Sequence, residues 1–283
     1  MAKQLLGKEV NASYNERVKE MVSKVVAQGV TPTLGIIRVG EREDDLSYER
    51  GATKRCETLG VACEKFVLPE DVSEEELLRT IEEVNQNDKI HGVLLFRPLP
   101  KHLNEEKVIQ TLDPKKDVDG ITDGSLAAVF AGKNLGFPPC TPQGCMEILD
   151  HYGYDLTGKK VVVIGRSLVV GKPAAMMALK KNATVTICHT KTKDLAKNCQ
   201  EADILIVAAG KAGVVDASYV RPGQVVIDVG IHMGDDGKLC GDVKYEEVEP
   251  VVEAITPVPG GCGSVTTSVL VGHVAEAAMR TLS

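Results

Sequence analysis

The stretch Lys160-Val161-Val162-Val163-Ile164-Gly165-Arg166-Ser167-Leu168-Val169-Val170-Gly171-Lys172-Pro173 decides how the chain is read. Three valines and an isoleucine in an unbroken run have the pattern of a strand buried on both faces of a parallel sheet. Gly165 ends the run, and Gly171 and Pro173 introduce a helix expected over Ala174 to Lys181. Strand, tight turn and helix N-terminus in that order gather backbone N–H groups and the positive end of a helix dipole at one place, where a phosphate binds. The spacing Gly165-x5-Gly171 departs from the G-x-G-x-x-G dinucleotide fingerprint. Alone, the turn reads equally well as a plain strand-to-helix connection.

Further strands are expected toward the C-terminus over 183–188, 203–210 and 224–230, a doubly wound nucleotide-binding arrangement. Toward the N-terminus, Val18, Met21, Val22, Val25 and Val26 repeat at helical spacing over 11–28. A strand over 33–40, a helix over 44–59 and a strand over 61–68 follow, each closed by glycine or proline. Ser73-Glu74-Glu75-Glu76 has the form of a capping box for a helix reaching Asn87, before a strand over 92–96. Strand–helix alternation of this kind predicts an α/β protein with parallel sheets. Residues 113–142 lack periodicity and are rich in Gly, Pro and Asp, so they are expected to be an irregular active-site segment and a domain boundary. The division expected is residues 1–140 as an N-terminal α/β domain, 141–264 as a Rossmann-type domain, and a final helix in 265–283 returning to the first.

Composition narrows the function classes. A chain of 283 residues with 43% apolar and 26% charged residues suits a globular protein of two domains. Its formal charge of −7 is the wrong sign for a nucleic-acid footprint. No apolar run approaches a membrane span, and Lys8 and Glu9 interrupt the start too early for a signal peptide, so a cytoplasmic location is expected. The eight cysteines show no C-x-x-C or Cys/His metal spacing and read as reduced thiols; no metal is expected.

Three further segments have no obvious structural reason for their composition. Lys116-Asp117-Val118-Asp119-Gly120 sets two carboxylates two residues apart in a turn, where they either serve a ligand or bond local backbone. Pro139-Cys140-Thr141-Pro142 and Thr256-Pro257-Val258-Pro259-Gly260-Gly261-Cys262-Gly263 are rigid, glycine-punctuated loops suited either to close approach of a flat ligand or to simple connection.

With the Tyr48 helix and Pro98-Leu99-Pro100, these segments stand in an order that resembles the methylenetetrahydrofolate dehydrogenase/methenyltetrahydrofolate cyclohydrolase family over nearly the whole chain. The resemblance implies oxidation of a tetrahydrofolate derivative by hydride transfer to NAD(P), in a homodimer. It implies Asp119 as the residue holding the pterin, with Tyr48, Leu95, Arg97, Pro259, Gly260 and Gly261 bordering the substrate. It also implies a cofactor site of Gly165, Arg166, Ser167, Val170, Gly171, Pro173, Thr190 and Ile231.

The chain departs from the family pattern at two places. Bifunctional members carry a catalytic lysine four residues after the tyrosine and a glutamine before the Leu-Pro of the third strand; here those positions are Ala52 and Phe96. Lys54 is a weak substitute, because six residues advance a helix about 240° while four advance it about 40° past a full turn. Dehydrogenase activity with cyclohydrolase activity weak or absent is therefore expected, Arg97 being the one residue able to rescue the second step. The alternatives are a bifunctional enzyme and a folate- or nucleotide-binding regulator without turnover. For the cofactor, Ile187-Cys188-His189-Thr190-Lys191-Thr192 holds no acid for a ribose 2′-hydroxyl until Asp194, while Arg166 and Lys191 suit a 2′-phosphate. NADP is expected, with NAD as the alternative.

Overall fold

A computed structural model describes residues 1–234 and 236–282. In chain order its elements are β1 (Lys3–Gln4), α1 (Gly7–Ala27), β2 (Thr33–Val39), α2 (Glu43–Leu59), β3 (Ala62–Leu68), α3 (Glu74–Gln86) and β4 (Gly92–Leu95). Then come α4 (Glu105–Thr111), α5 (Asp123–Ala131), α6 (Cys140–His151), β5 (Lys160–Ile164), α7 (Gly171–Lys180), β6 (Thr184–Cys188), α8 (Leu195–Gln200), β7 (Ile204–Val207) and β8 (Val225–Asp228). The chain closes with β9 (His232–Met233), β10 (Leu239–Cys240), α9 (Tyr245–Val248), β11 (Ala254–Ile255) and α10 (Cys262–Arg280).

The chain forms two units. One comprises Tyr14–Cys140 and the chain from Thr267 onward, around a parallel sheet of order β3-β2-β4. Its central strand β2 is buried along almost its whole length and is apolar except for Thr33 and Arg38, and β4 is buried and apolar at every residue. Edge strand β3 tolerates the exposed Glu64 and Lys65. Ile37, Leu77, Ile81, Val93, Leu95 and Val108 belong to one apolar core of this unit.

The other unit comprises Met1–Ser13 and Thr141–Thr266, around a six-stranded sheet of order β1-β11-β8-β7-β5-β6. All its neighbouring strands run parallel. In both sheets the first long strand in sequence is flanked by the next two on opposite sides, β2 by β3 and β4, and β5 by β6 and β7. This is the winding that opens a crevice at the carboxyl ends of the strands.

Several expectations are corrected. Residues 1–13, expected with the N-terminal domain, contribute β1, which pairs Lys3 with Ala254 and Gln4 with Ile255 in the other unit's sheet. Two residues of strand carry no periodicity from which to read this. Residues 113–142 are not irregular throughout: α5 lies within them, capped by Thr122, whose hydroxyl accepts from the Ser125 N–H. The helix after β5 starts at Gly171, three residues before the expected Ala174. None of the eight cysteines is in a disulfide. Among the described residues no helix is long and apolar enough to cross a membrane.

Candidate active site

The carboxyl ends of β2 and β4 carry one cluster of polar and aromatic groups. Beyond β4 the chain continues into Phe96 and Arg97, and α2 brings Tyr48 against Phe96, ring centroids 5.9 Å apart and nearly perpendicular. Arg97 is a quarter exposed, its Nη1 3.6 Å from Glu105 Oε1. Leu95, expected at the substrate, is 3% exposed and packs into the core; alternation along the strand turns it away from the face that Phe96 shares.

The two aspartates of Lys116-Asp117-Val118-Asp119-Gly120 divide the alternatives between them. Asp117 is fully buried and accepts from Ile121 N (3.0 Å), Thr122 N (2.8 Å) and Thr122 Oγ1 (2.7 Å). It organises the turn into α5. Asp119, two residues on, keeps part of its surface in solvent and lies beside the Cys140 thiol, which donates to the Val118 carbonyl at 3.3 Å. Burial first, and the Asp117 charge second, push its carboxyl up to about 6, while the Cys140 thiol and Arg97 act in the opposite direction. Burial and then the Asp119 charge push the Tyr48 phenol well above its usual range. Burial and Asp119 do the same to the Cys140 thiol. Behind them, His273 Nδ1 donates to the Val118 carbonyl at 2.8 Å and its ring packs on Phe137, centroids 5.0 Å apart. Tyr48, Arg97 and Asp119 thus stand in one electrostatically coupled group.

Ala52 is fully buried on the sheet-facing side of α2, and Phe96 is 8% exposed. Lys54 is exposed, on a different side of the helix, as the angular argument expected.

The second unit builds a different site around the opening stretch. Gly165 has φ 127°, and a Cβ there would collide with the Ala208 carbonyl. A Cβ on Gly171 would collide with the Gly165 carbonyl. Only glycine lets the turn pass this close to β7 and to itself. Ser167 Oγ accepts from Val170 N (3.1 Å) and Gly171 N (3.4 Å), holding the turn against the start of α7, where Pro173 is buried. Arg166 and Thr190 are exposed. Ile231 is 56% exposed and lines, with Pro259, Gly260 and Gly261, a cavity of about 170 Å³.

Two buried aspartates were missed in the sequence: Asp228, which lines this cavity, and Asp242, which is hydrogen-bonded to Asp228. Asp242 accepts from Ala209 N (2.7 Å), Gly210 N (3.0 Å) and Lys211 N (2.9 Å), and lies 2.7 Å from His232 Nε2. Asp228 accepts from Gly230, Asp242 and Val243 N–H groups. Burial, with the Asp242 charge adding to it against those donors, pushes the Asp228 carboxyl up to about 7. Together they fix the loops that leave β7 and β8. An aspartate ending an apolar strand, as in Val225-Val226-Ile227-Asp228, was the available signal.

Residues 5–119 match the model of the tetrahydrofolate dehydrogenase/cyclohydrolase catalytic domain, and residues 139–282 that of the NAD(P)-binding domain of the same name. The chain is similar to the bifunctional protein FolD of Carboxydothermus hydrogenoformans, 53% identical across 98% of this chain and 97% of that one. Among solved structures it is similar to the bifunctional FolD methylenetetrahydrofolate dehydrogenase/cyclohydrolase of Campylobacter jejuni, with a TM-score of 0.95 and 37% identity over 99% of this chain and 100% of that one. It is also similar to the Trypanosoma brucei enzyme complexed with NADP and an inhibitor, with a TM-score of 0.91 and 30% identity over 99% and 98% of the two chains.

Proposed function

Since the chain belongs to the tetrahydrofolate dehydrogenase/cyclohydrolase family, we propose that it oxidises 5,10-methylenetetrahydrofolate to the 5,10-methenyl form with NADP. The observation that carries this reading is Asp119, a partly buried carboxylate beside Tyr48 whose neighbour Asp117 already does the structural work of the turn. A pterin presents an amino group and a ring N–H side by side, and one ionised carboxylate accepts both. Tyr48 and Arg97 then border the folate. The reacting carbon lies between N5 and N10, whose lone pairs stabilise the cation left behind, so this unit has to hold and orient the substrate rather than supply a strong acid or base.

The other unit fits a dinucleotide. The glycine turn admits a diphosphate to the backbone, and Ser167, Val170 and Pro173 fix the start of α7, whose N–H groups face an anion. Exposed Arg166 and Thr190, with Lys191, suit a ribose 2′-phosphate, and this favours NADP over NAD. Ile231, Pro259, Gly260 and Gly261 border the nicotinamide end. Bound NADP supplies the hydride acceptor. The family reading carries with it a homodimer in the cytoplasm, the first of which sedimentation measures directly.

The hydrolytic step is where the relatives and the residues pull apart. Ala52 and Phe96 argued for its loss, but relatives of 53% and 37% identity along nearly the whole chain are named bifunctional. That similarity favours a chain that also hydrolyses the methenyl product. Arg97 and Asp119 are then the polar groups beside Tyr48 that guide water to the cation, since Lys54 is exposed elsewhere on α2. One purified sample tests both steps: methylenetetrahydrofolate with NADP should give NADPH and the methenyl absorbance, which should then decay faster than without protein. Absence of NADPH refutes the dehydrogenase; decay at the spontaneous rate restores the dehydrogenase-only reading of Ala52 and Phe96.

A further inference from the structure

Helix α2 buries Asp45, Glu49, Ala52, Cys56 and Leu59, at the spacing of an apolar stripe. Yet its first two members are carboxylates, 7% and 6% exposed. The sheet beneath supplies two cations to the second of them. Arg38 of β2 sets its Nε 2.9 Å from Glu49 Oε2, and Lys65 of β3 its Nζ 2.8 Å from Glu49 Oε1. Each carboxylate oxygen therefore has its own cation on its own strand. Arg38, 6% exposed, also donates to the Gly40 carbonyl, which ties the pair to the end of β2. Burial acts to raise the Glu49 carboxyl, and the bonds and charges of Lys65 and Arg38 overcome it, leaving it below the ordinary glutamate range.

A buried ion pair is a poor source of stability, because apolar residues of similar volume usually serve as well or better. Its distinctive property is direction. Charge-assisted hydrogen bonds hold over a narrow range of geometry, whereas an apolar stripe tolerates a small roll of the helix. Tyr48 immediately precedes Glu49, so it follows any such roll. At a side-chain radius of about 6 Å, a 20° roll moves a group by roughly 2 Å. Misplacement on the scale of about 1 Å is enough to cost an enzyme orders of magnitude in rate.

We propose that Glu49, clamped between Arg38 and Lys65, is a positioning residue that sets the roll of α2 and thereby the placement of Tyr48 against the folate. The proposal rests on the role assigned to Tyr48 above. Glu49→Gln is expected to raise the KM for methylenetetrahydrofolate about tenfold while the NADP dissociation constant stays within twofold of wild type. The double variant Arg38→Met/Glu49→Leu, apolar on both sides, is expected to regain the wild-type urea midpoint and still keep the raised folate KM. Should Glu49→Gln fail to fold, Glu49→Asp, which keeps the charge but shortens its reach, takes its place with the same expected KM. In a Tyr48→Ala background the Glu49 substitution should have no further effect on the folate KM, since it acts through the missing ring. Recovery of both midpoint and KM in the double variant, or additive effects in the Tyr48→Ala background, overturns the proposal. A Tyr48→Ala variant with wild-type folate KM refutes instead the reading of Tyr48 itself.

Discussion

Lowering the pH from 7 to 5 should disable folate recognition through Asp119 alone. Burial and the Asp117 charge push this carboxyl up to about 6, so the acceptor of two pterin N–H groups is lost far above the usual aspartate range. At a value near 6 the ionised fraction drops from about nine-tenths at pH 7 to about one-tenth at pH 5, and kcat/KM for the folate should fall about tenfold. An aspartate at the ordinary 3.8 would remain more than about nine-tenths ionised at pH 5 and show no such fall. The same shift has a stability consequence. A folded-state value raised from 3.8 to about 6 means a contribution fully present below 3.8 and lost as pH rises through about 6. At pH 7 the ionised group then costs up to about 3 kcal/mol, at about 1.4 kcal/mol per unit. Asp119→Asn should accordingly resist urea better than wild type at pH 7, lose that advantage by pH 4, and bind folate poorly throughout. Steady-state rates over pH 5–8 at saturating NADP, with equilibrium binding of a stable folate over the same range, measure the first part; urea melts at the two pH values measure the second. A wild-type profile flat down to pH 5, or Asp119→Asn retaining the wild-type acid limb, would refute the reasoning.

Other expectations follow from single contacts. Gly165→Ala drives a methyl group into the Ala208 carbonyl at a φ that disfavours alanine, a strain on the order of 1–3 kcal/mol; calorimetry should show NADP affinity at least tenfold weaker with folate binding unchanged. Asp117→Ala leaves Ile121 N, Thr122 N and the Thr122 hydroxyl without their acceptor, and should lower unfolding free energy by about 1–3 kcal/mol for each donor that stays buried and unsatisfied, measured in denaturant melts. Lys54→Ala, at an exposed position, should leave both reaction steps within twofold of wild type and stability within about 0.5 kcal/mol. Loss of either step in that variant would return Lys54 to the site.

The long elements were legible because their burial shows directly in the sequence, as periodic spacing or as an unbroken apolar run. Val161 to Ile164 and Gly92 to Leu95 are fully buried strands whose apolar runs say so, and Ser73 caps α3 from a recognisable box. The short ones were not: β1 and β11 are two residues each and exist through pairing, β1 with β11 and β11 also with β8. In the site, Asp119, Tyr48 and the glycine turn stood out by motif. Leu95 and Phe96, adjacent at a strand end, point to opposite faces, so Leu95 joins the core while Phe96 meets Tyr48. Asp228, Asp242 and Glu49 were overlooked for a common reason: each is a carboxylate whose partners are backbone groups or cations distant in sequence.

The pairing of Lys3 with Ala254, and the return of the chain from Thr267 onward to the unit that begins at Tyr14, have a consequence for how the protein is made. On the ribosome, β1 must wait for β11, while the unit begun at Tyr14 waits for the part of α10 from Thr267 onward. Each unit is assembled from two segments with the other's residues between them, and neither can be cut out at a single junction. Pairings this far apart in sequence are the slow ones to form. A stop codon placed before Ala254 should therefore leave two incomplete units rather than one intact and one missing.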